Sequence, residues 1–496
     1  MKFYVNALLI ALSGVLSACG GSSSSSNSED FFKQAEGSEA LSGGETTVFN
    51  ASAEAYSKPS ANMITSRKGD FFVGNDFFSD PWVAAPASTT ARDGLGPLFN
   101  VSACQSCHIK DGRGHAPENA EDTADSLLIR LSHPPQNDTE ATVLLDESVA
   151  NLGDPNYGGQ LQDRSVQGVA AEGRVRVDYS VKTIEFSDGF KVDLRQPVFS
   201  IENLAYGALH EDVTLSMRVA PVMIGLGLLE VIPESVYLEK ADENDADGDG
   251  ISGRPNYVWD KSLAKTVMGR FGWKAGQPSL RQQNSGAFNG DIGMTSSLFS
   301  GQPCVETQQD CLNAISGVGP GEEHELTDEI VDFVEFYSRN LAVPGRRDEG
   351  NVDVLAGKKL FYQAGCTACH TPSYTTPALA ETHVEQSEQK IFPYTDLLLH
   401  DMGELLADTD QHGNPRSETV AVEFLATARE WRTAPLWGIG LAQTVDDDAT
   451  FLHDGRARTL MEAVLWHGGE AQASQQAVLS FNAAERDQLI KFLESL

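Results

Sequence analysis

The sequence predicts a mainly α fold, built as two domains with a β-rich insertion in the first. Three observations predict it. Apolar residues recur at helical spacing in two stretches: Ile330, Phe333, Val334, Tyr337 and Leu341 within 328–341, stopped by Pro344, and the amphipathic segment from Ala483 to Leu496. By contrast, 174–179 and 182–186 alternate polar with apolar. Ser187-Asp188-Gly189 then leads into 190–194, which reads as strand, turn and strand inside an insertion spanning about 160–205. Finally, one short cysteine pattern occurs near each end, as Cys104-Gln105-Ser106-Cys107-His108 and Cys366-Thr367-Ala368-Cys369-His370. With 496 residues, 41% hydrophobic and 22% charged, the chain has the composition of a soluble globular protein and the length to bury two cores.

Each C-x-x-C-H motif carries the chemistry of covalent haem attachment. Two thiols add across the haem vinyl groups, and the adjacent histidine, His108 or His370, is held under the iron as axial ligand. Zinc would need four converging ligands, and neither motif is followed at short range by a C-x-x-C or H-x-x-x-H partner. A redox-active dithiol would open a helix in a βαβ pattern, which is not seen. The two domains therefore read as cytochrome c-like haem domains, at 61–345 and 346–496. The helical run 328–341 closes the first. Val354, Leu355 and Leu360-Phe361 lead into the second motif.

The N-terminus reads as a lipoprotein signal peptide. Lys2 precedes the apolar run Ala7 to Leu12, and Leu16-Ser17-Ala18-Cys19-Gly20 resembles a lipobox. Cleavage after residue 18 would leave Cys19 lipidated, with 19–60 as a flexible tether and the protein anchored in the outer membrane, facing the periplasm or the cell surface. The seven cysteines are then all assigned, because Cys304 and Cys311 lie close together in an exported chain and read as a disulfide. A net charge of −35 argues against nucleic acid as a partner; it suits either a basic redox partner, such as a small cytochrome or cupredoxin, or plain solubility in a salty medium, and charge alone does not choose between them. Asp245-Ala246-Asp247-Gly248-Asp249-Gly250-Ile251 reads as a calcium loop within 245–256. Its ligands would be Asp245, Asp247, Asp249 and the Ile251 carbonyl, although Asn256 replaces the bidentate Glu of an EF-hand.

Several segments resemble the di-haem oxidoreductases, also called thiol oxidoreductases, which are related to bacterial di-haem cytochrome c peroxidases and MauG-type enzymes. They are Gly96-Pro97-Leu98-Phe99-Asn100 and Asp111-Gly112-Arg113-Gly114 around the first motif, Gly225 to Glu230, Leu397 to Gly403, and Trp466 to Ala471. The resemblance covers most of the chain from Gly94 onward. Phe451-Leu452-His453-Asp454-Gly455-Arg456, running on to Thr459-Leu460-Met461-Glu462-Ala463-Val464, is similar to a peroxidase stretch that ends on the residue capping the C-terminal haem. That residue is His467 here, which implies a closed His370/His467 centre suited to electron transfer. His453 is expected to hydrogen-bond in the haem surroundings. Gly272 to Gln283 is similar to a peroxidase segment whose tryptophan lies between the haems, so the resemblance implies Trp273 as relay and Gln283 as an amide above the first haem. Peroxidases place an acid–base glutamate ten residues after that glutamine. This chain has Gly293 there, with Asp291 as the nearest substitute. The far face of the first haem stays open between His115, His133, His210, Met223 and no ligand at all.

The function expected is a peroxidase-like di-haem oxidoreductase in which electrons pass from the C-terminal to the N-terminal haem. Alternatives are a non-catalytic electron-transfer lipoprotein and MauG-like oxidation of a partner protein. A thiol activity finds no free cysteine to carry it.

Overall fold

A computed structural model describes residues 31–89, 92–123 and 125–496. Cys19 and the predicted signal peptide lie outside the described residues. The expectation of a mainly α chain is overturned, since helix makes up 28% and strand 18%, and the strands form small antiparallel sheets. No cytochrome c-like domain is evident among the described residues. The physical reason is that, outside one long hairpin, the strands are short and several pair with partners far away in sequence. Leu98–Phe99 pairs with Arg164–Ser165, for example, and strands of two residues leave no alternation to read.

The predicted tether is partly packed. The Glu39 carboxylate is fully buried and bridges Lys358 Nζ (2.5 Å) and Arg346 Nη1 (3.1 Å). Tyr56 is buried and its hydroxyl donates to the Gly438 carbonyl at 2.6 Å, while the Ser60 amide donates to Asn340 O at 2.9 Å. This polar stretch is fixed by one buried ion-pair cluster and one tyrosine, and it touches both halves of the chain. Composition alone hides such anchors.

Helix α1 (Lys68–Ser79) buries Phe71, Gly74 and Phe78. At Gly74 a Cβ would stand 2.1 Å from Phe333 O, so only glycine permits the close crossing with the later helix α3. Strand β1 (Leu127–Ser132) pairs antiparallel with β4 (Thr214–Val219), setting Leu128 opposite Arg218 and Arg130 opposite Ser216. Between them comes the hairpin β2 (Arg174–Glu185) and β3 (Lys191–Glu202), paired along its whole length. The sequence reading found shorter strands in this place. The hairpin tip reaches the second half. Phe186 and Leu194 join a core with Phe361, Leu465 and Trp466, and Asp188 pairs with Arg486 at 2.9 Å.

Helix α2 (Leu280–Asp291) begins at Ser279, whose hydroxyl accepts from the Gln282 amide. Helix α3 (Asp328–Arg339) buries Val331, Val334, Tyr337 and Ser338 and packs on α1 and α2. Cys304 and Cys311 are disulfide-bonded, with Cα atoms 5.9 Å apart. In the second half α4 (Val352–Gln363) packs against the C-terminal helix, and strand β5 (Leu399–Asp401) is followed by β6 (Thr409–Asp410), which joins the far edge of β4. That junction crosses the predicted boundary at 345, so the halves share a sheet. Strand β7 (Glu430–Arg432) pairs with β5. Short helix α5 (Leu460–Trp466) and α6 (Ala483–Ser495), the latter opened by an Asn482–Glu485 capping box, complete the chain.

Candidate functional site

Cys104–Ser106 form one tight 3₁₀ turn that brings Cys107 and His108 around to a cavity of about 300 Å³. The His108 ring lies 6.0 Å from that of Phe78, and its Nδ1 donates to the Pro221 carbonyl at 2.8 Å. Burial pulls the His108 pKa down to about 4, against the opposing hydrogen bonds to Pro221 and Gly112. The ring is therefore neutral, and its Nε2 lone pair is left available to a metal. Burial pushes the Cys104 thiol up to about 12 and Cys107 well above its usual range, with Asp291 adding to both. Such thiols are neutral, unlike the lowered thiolates of redox-active cysteines.

The second motif repeats the arrangement. Gly365, at φ +81, admits the turn Cys366–Ala368, and His370 Nδ1 donates to Tyr394 O at 2.9 Å. Burial lowers His370 to about 4. His467 sits at the C-cap of α5 and donates from Nδ1 to Ala463 O at 2.8 Å, and burial lowers its pKa too. His370 and His467 line one mostly apolar cavity of about 200 Å³ together with Cys366 and Cys369. All three predicted ligands thus have Nδ1 tied to a backbone carbonyl, which fixes the tautomer for metal ligation through Nε2. Among the described residues no third Cys, His or carboxylate closes on either cysteine pair at metal-ligand spacing, so zinc does not fit. Two thiols, a neutral imidazole and an adjoining cavity at each motif do fit a haem.

Trp273, Arg113, Arg432 and Pro435 line both cavities. The Trp273 indole donates to Val219 O at 2.7 Å and stands edge-on to His453, 6.5 Å between rings at 73°. His453 stacks flat on Trp431 at 3.5 Å, and Lys274 Nζ lies 3.6 Å over the other ring, Trp431. Lys274 is itself buried, 3.1 Å from Asp408. His400, which sequence reasoning missed inside the segment Leu397 to Gly403, lies between Asp396 (3.0 Å) and Glu470 (2.7 Å), 3.6 Å from Cys369 Sγ. Burial opposes its protonation, but Asp396, Cys369 and Glu470 outweigh it and hold the pKa well above normal.

Gln283 and Asp291, both on α2, line the first cavity. Asp291 Oδ1 accepts from Gln160 Nε2 at 2.9 Å, and burial pushes the carboxyl's pKa up against Arg130 and Gln160. Gly293 has no room for a side chain. Its φ is +77, and a Cβ would lie 2.4 Å from Leu98 O. Of the four residues considered for the far face, Met223 lines the cavity. His133 and His210 instead stack on each other at 4.3 Å, and His115 lies 3.5 Å from Asp446.

In the acidic loop, carboxylates of Asp242, Asp245 and Asp247 lie within 4.8 Å of one another. Of the expected carboxylate ligands, Asp245 and Asp247 are in that group and Asp249 is not. Loop amides donate to these acids, as Ala246 N does to Asp242 and Gly250 N to Asp245.

Asp111, next to the first motif, is buried and accepts from Tyr337 OH at 2.6 Å. Burial lifts its pKa to about 6. A raised carboxyl pKa favours folding while the group is protonated, and that contribution is lost as pH climbs from about 4 to about 6. Asp111→Asn should therefore gain about 2–3 kcal/mol relative to wild type across that interval, a two-unit shift read as free energy. Denaturation at pH 4 and pH 6.5 measures the difference, and an unchanged gap would refute it.

No curated protein matches the chain. Residues 37–496 match the family described as "Di-haem oxidoreductase, putative peroxidase", and the chain belongs to that family.

Proposed function

We propose that this di-haem oxidoreductase is an exported c-type protein that reduces a small oxidant, hydrogen peroxide by preference, at its N-terminal haem. The supporting observation is the shared wall, in which Trp273 borders both cavities while each holds its own Cys, Cys and His. Thioethers to Cys104 and Cys107, and to Cys366 and Cys369, would hold the two haems, whose irons supply the electrons. His370 and His467 would close the C-terminal centre, which receives electrons from a small redox protein. His108 would ligate the N-terminal one. Trp273 would shorten the path between them. Asp291, its carboxyl pKa raised by burial, would relay a proton through Oδ2 while Gln160 holds Oδ1, and Gln283 would orient the oxidant. Two electrons and two protons then convert one peroxide to two waters. Cys19 would anchor the protein to a membrane by lipid, leaving the acidic surface to meet a basic donor.

Electron paramagnetic resonance of the haem-loaded protein tests this reading. A high-spin ferric signal that changes with peroxide, oxidised or half-reduced, is the expected result. Two low-spin signals indifferent to peroxide in both states would reject it and leave an electron carrier.

A further inference from the structure

Strand β1 places alternate residues on opposite sides of its sheet. Leu127, Ile129 and Leu131 enter the core, while Leu128 and Arg130 line the N-terminal cavity. Opposite, on β4, Arg218 also lines the cavity. The same sheet therefore aims two guanidinium groups at one space. Their situations differ. Arg218 is compensated, with Nη1 2.6 Å from Glu423 Oε2 and Nε donating to Ser216 Oγ at 3.1 Å. Arg130 makes no side-chain hydrogen bond and no ion pair within 4 Å among the described residues. The acid with the strongest electrostatic pull on it, Asp291, gives one oxygen to Gln160 instead. Burial lowers the Arg130 pKa, with Asp291 only partly offsetting it. A guanidinium carries five donors in a planar fork, and on Arg130, partly exposed in the cavity wall, none of them meets a partner among the described residues.

We propose that Arg130 is an anion-binding residue of the N-terminal cavity, taking a small planar oxyanion of the carboxylate type. The fork suits two oxygens bridged by one carbon, and Trp273 and Leu128 give that space apolar walls. The anion comes either from solution or from a haem propionate. The inference rests on haem occupying this cavity, so haem content is established first. Two haems per chain in both wild type and variant keep that reading intact whatever follows.

Formate is the probe. It is titrated into the ferric, haem-loaded protein and followed by calorimetry and by the visible spectrum. Saturable binding in wild type, weakened tenfold or more in Arg130→Gln and partly restored in Arg130→Lys, identifies an anion from solution. If formate does not bind, a crystal structure of the haem-loaded protein with a propionate oxygen within hydrogen-bond distance of Arg130 identifies the propionate. Equal formate affinity in wild type and Arg130→Gln, or a crystal structure with neither anion at Arg130, overturns the proposal. Far-UV circular dichroism matching wild type establishes that the variants are folded.

Discussion

Lys274→Met is expected to lower the unfolding free energy by about 3–5 kcal/mol, the usual penalty for removing one partner of a buried ion pair. Lys274 and Asp408 are 0% and 1% exposed, and their charged atoms lie 3.1 Å apart. Burial pulls Lys274 down to about 8 and pushes Asp408 up, while the attraction between them opposes both shifts. The ammonium also donates to the carbonyls of Thr427 (2.9 Å) and Glu430 (2.8 Å). Methionine fills the space but leaves Asp408 and two carbonyls without that donor. The double variant Lys274→Met/Asp408→Leu should recover most of the loss, because replacing both charges removes the orphan. Urea midpoints of wild type, single and double variants decide the matter. A single variant within 1 kcal/mol of wild type would show that the pair contributes little. The change also touches the wall between the cavities. Lys274 lies on Trp431, which carries His453, so near-ultraviolet dichroism should change even where the double variant regains stability.

The candidate haem-binding residues were legible because their chemistry is local. C-x-x-C-H is contiguous, and a tight turn then needs little from the rest of the fold. His467 became visible through the stretch beginning at Phe451, and Trp273 through the segment after Gly272. The amphipathic helix at 328–341 was legible from its spacing, as was the hairpin around Gly189. What sequence could not give was pairing at a distance. Arg130 reads as one polar residue in an apolar strand until the register with Ser216 and Arg218 turns it toward the cavity. Lys274 reads as a surface lysine until Asp408, far along the chain, is brought beneath it. His400 gains its meaning only when Glu470 closes its second side. The same distance effect misled the fold class. The two-residue strand Thr409–Asp410 adds itself to β4, and nothing in its own sequence announces it.

His467→Met should raise the midpoint potential of the C-terminal centre by on the order of 0.2 V, about 4–5 kcal/mol for one electron. A thioether stabilises the reduced iron relative to an imidazole, whereas an imidazole donating its Nδ1–H becomes the stronger donor and favours the oxidised iron. His467 has that donation, 2.8 Å to Ala463 O, from the last turn of α5. Methionine has similar reach and needs no such tether, so the helix end can present its sulfur to the same cavity. Spectroelectrochemistry of the haem-loaded protein reads the shift, with the His108 centre as internal reference. That centre should move little, because His467 lines only the second cavity. A C-terminal potential and low-spin spectrum identical to wild type would remove His467 from the ligand set. If the shift appears, electron passage toward the N-terminal cavity becomes less favourable by the same amount, and steady-state reduction of peroxide should slow while the spectrum of the His108 centre stays unchanged.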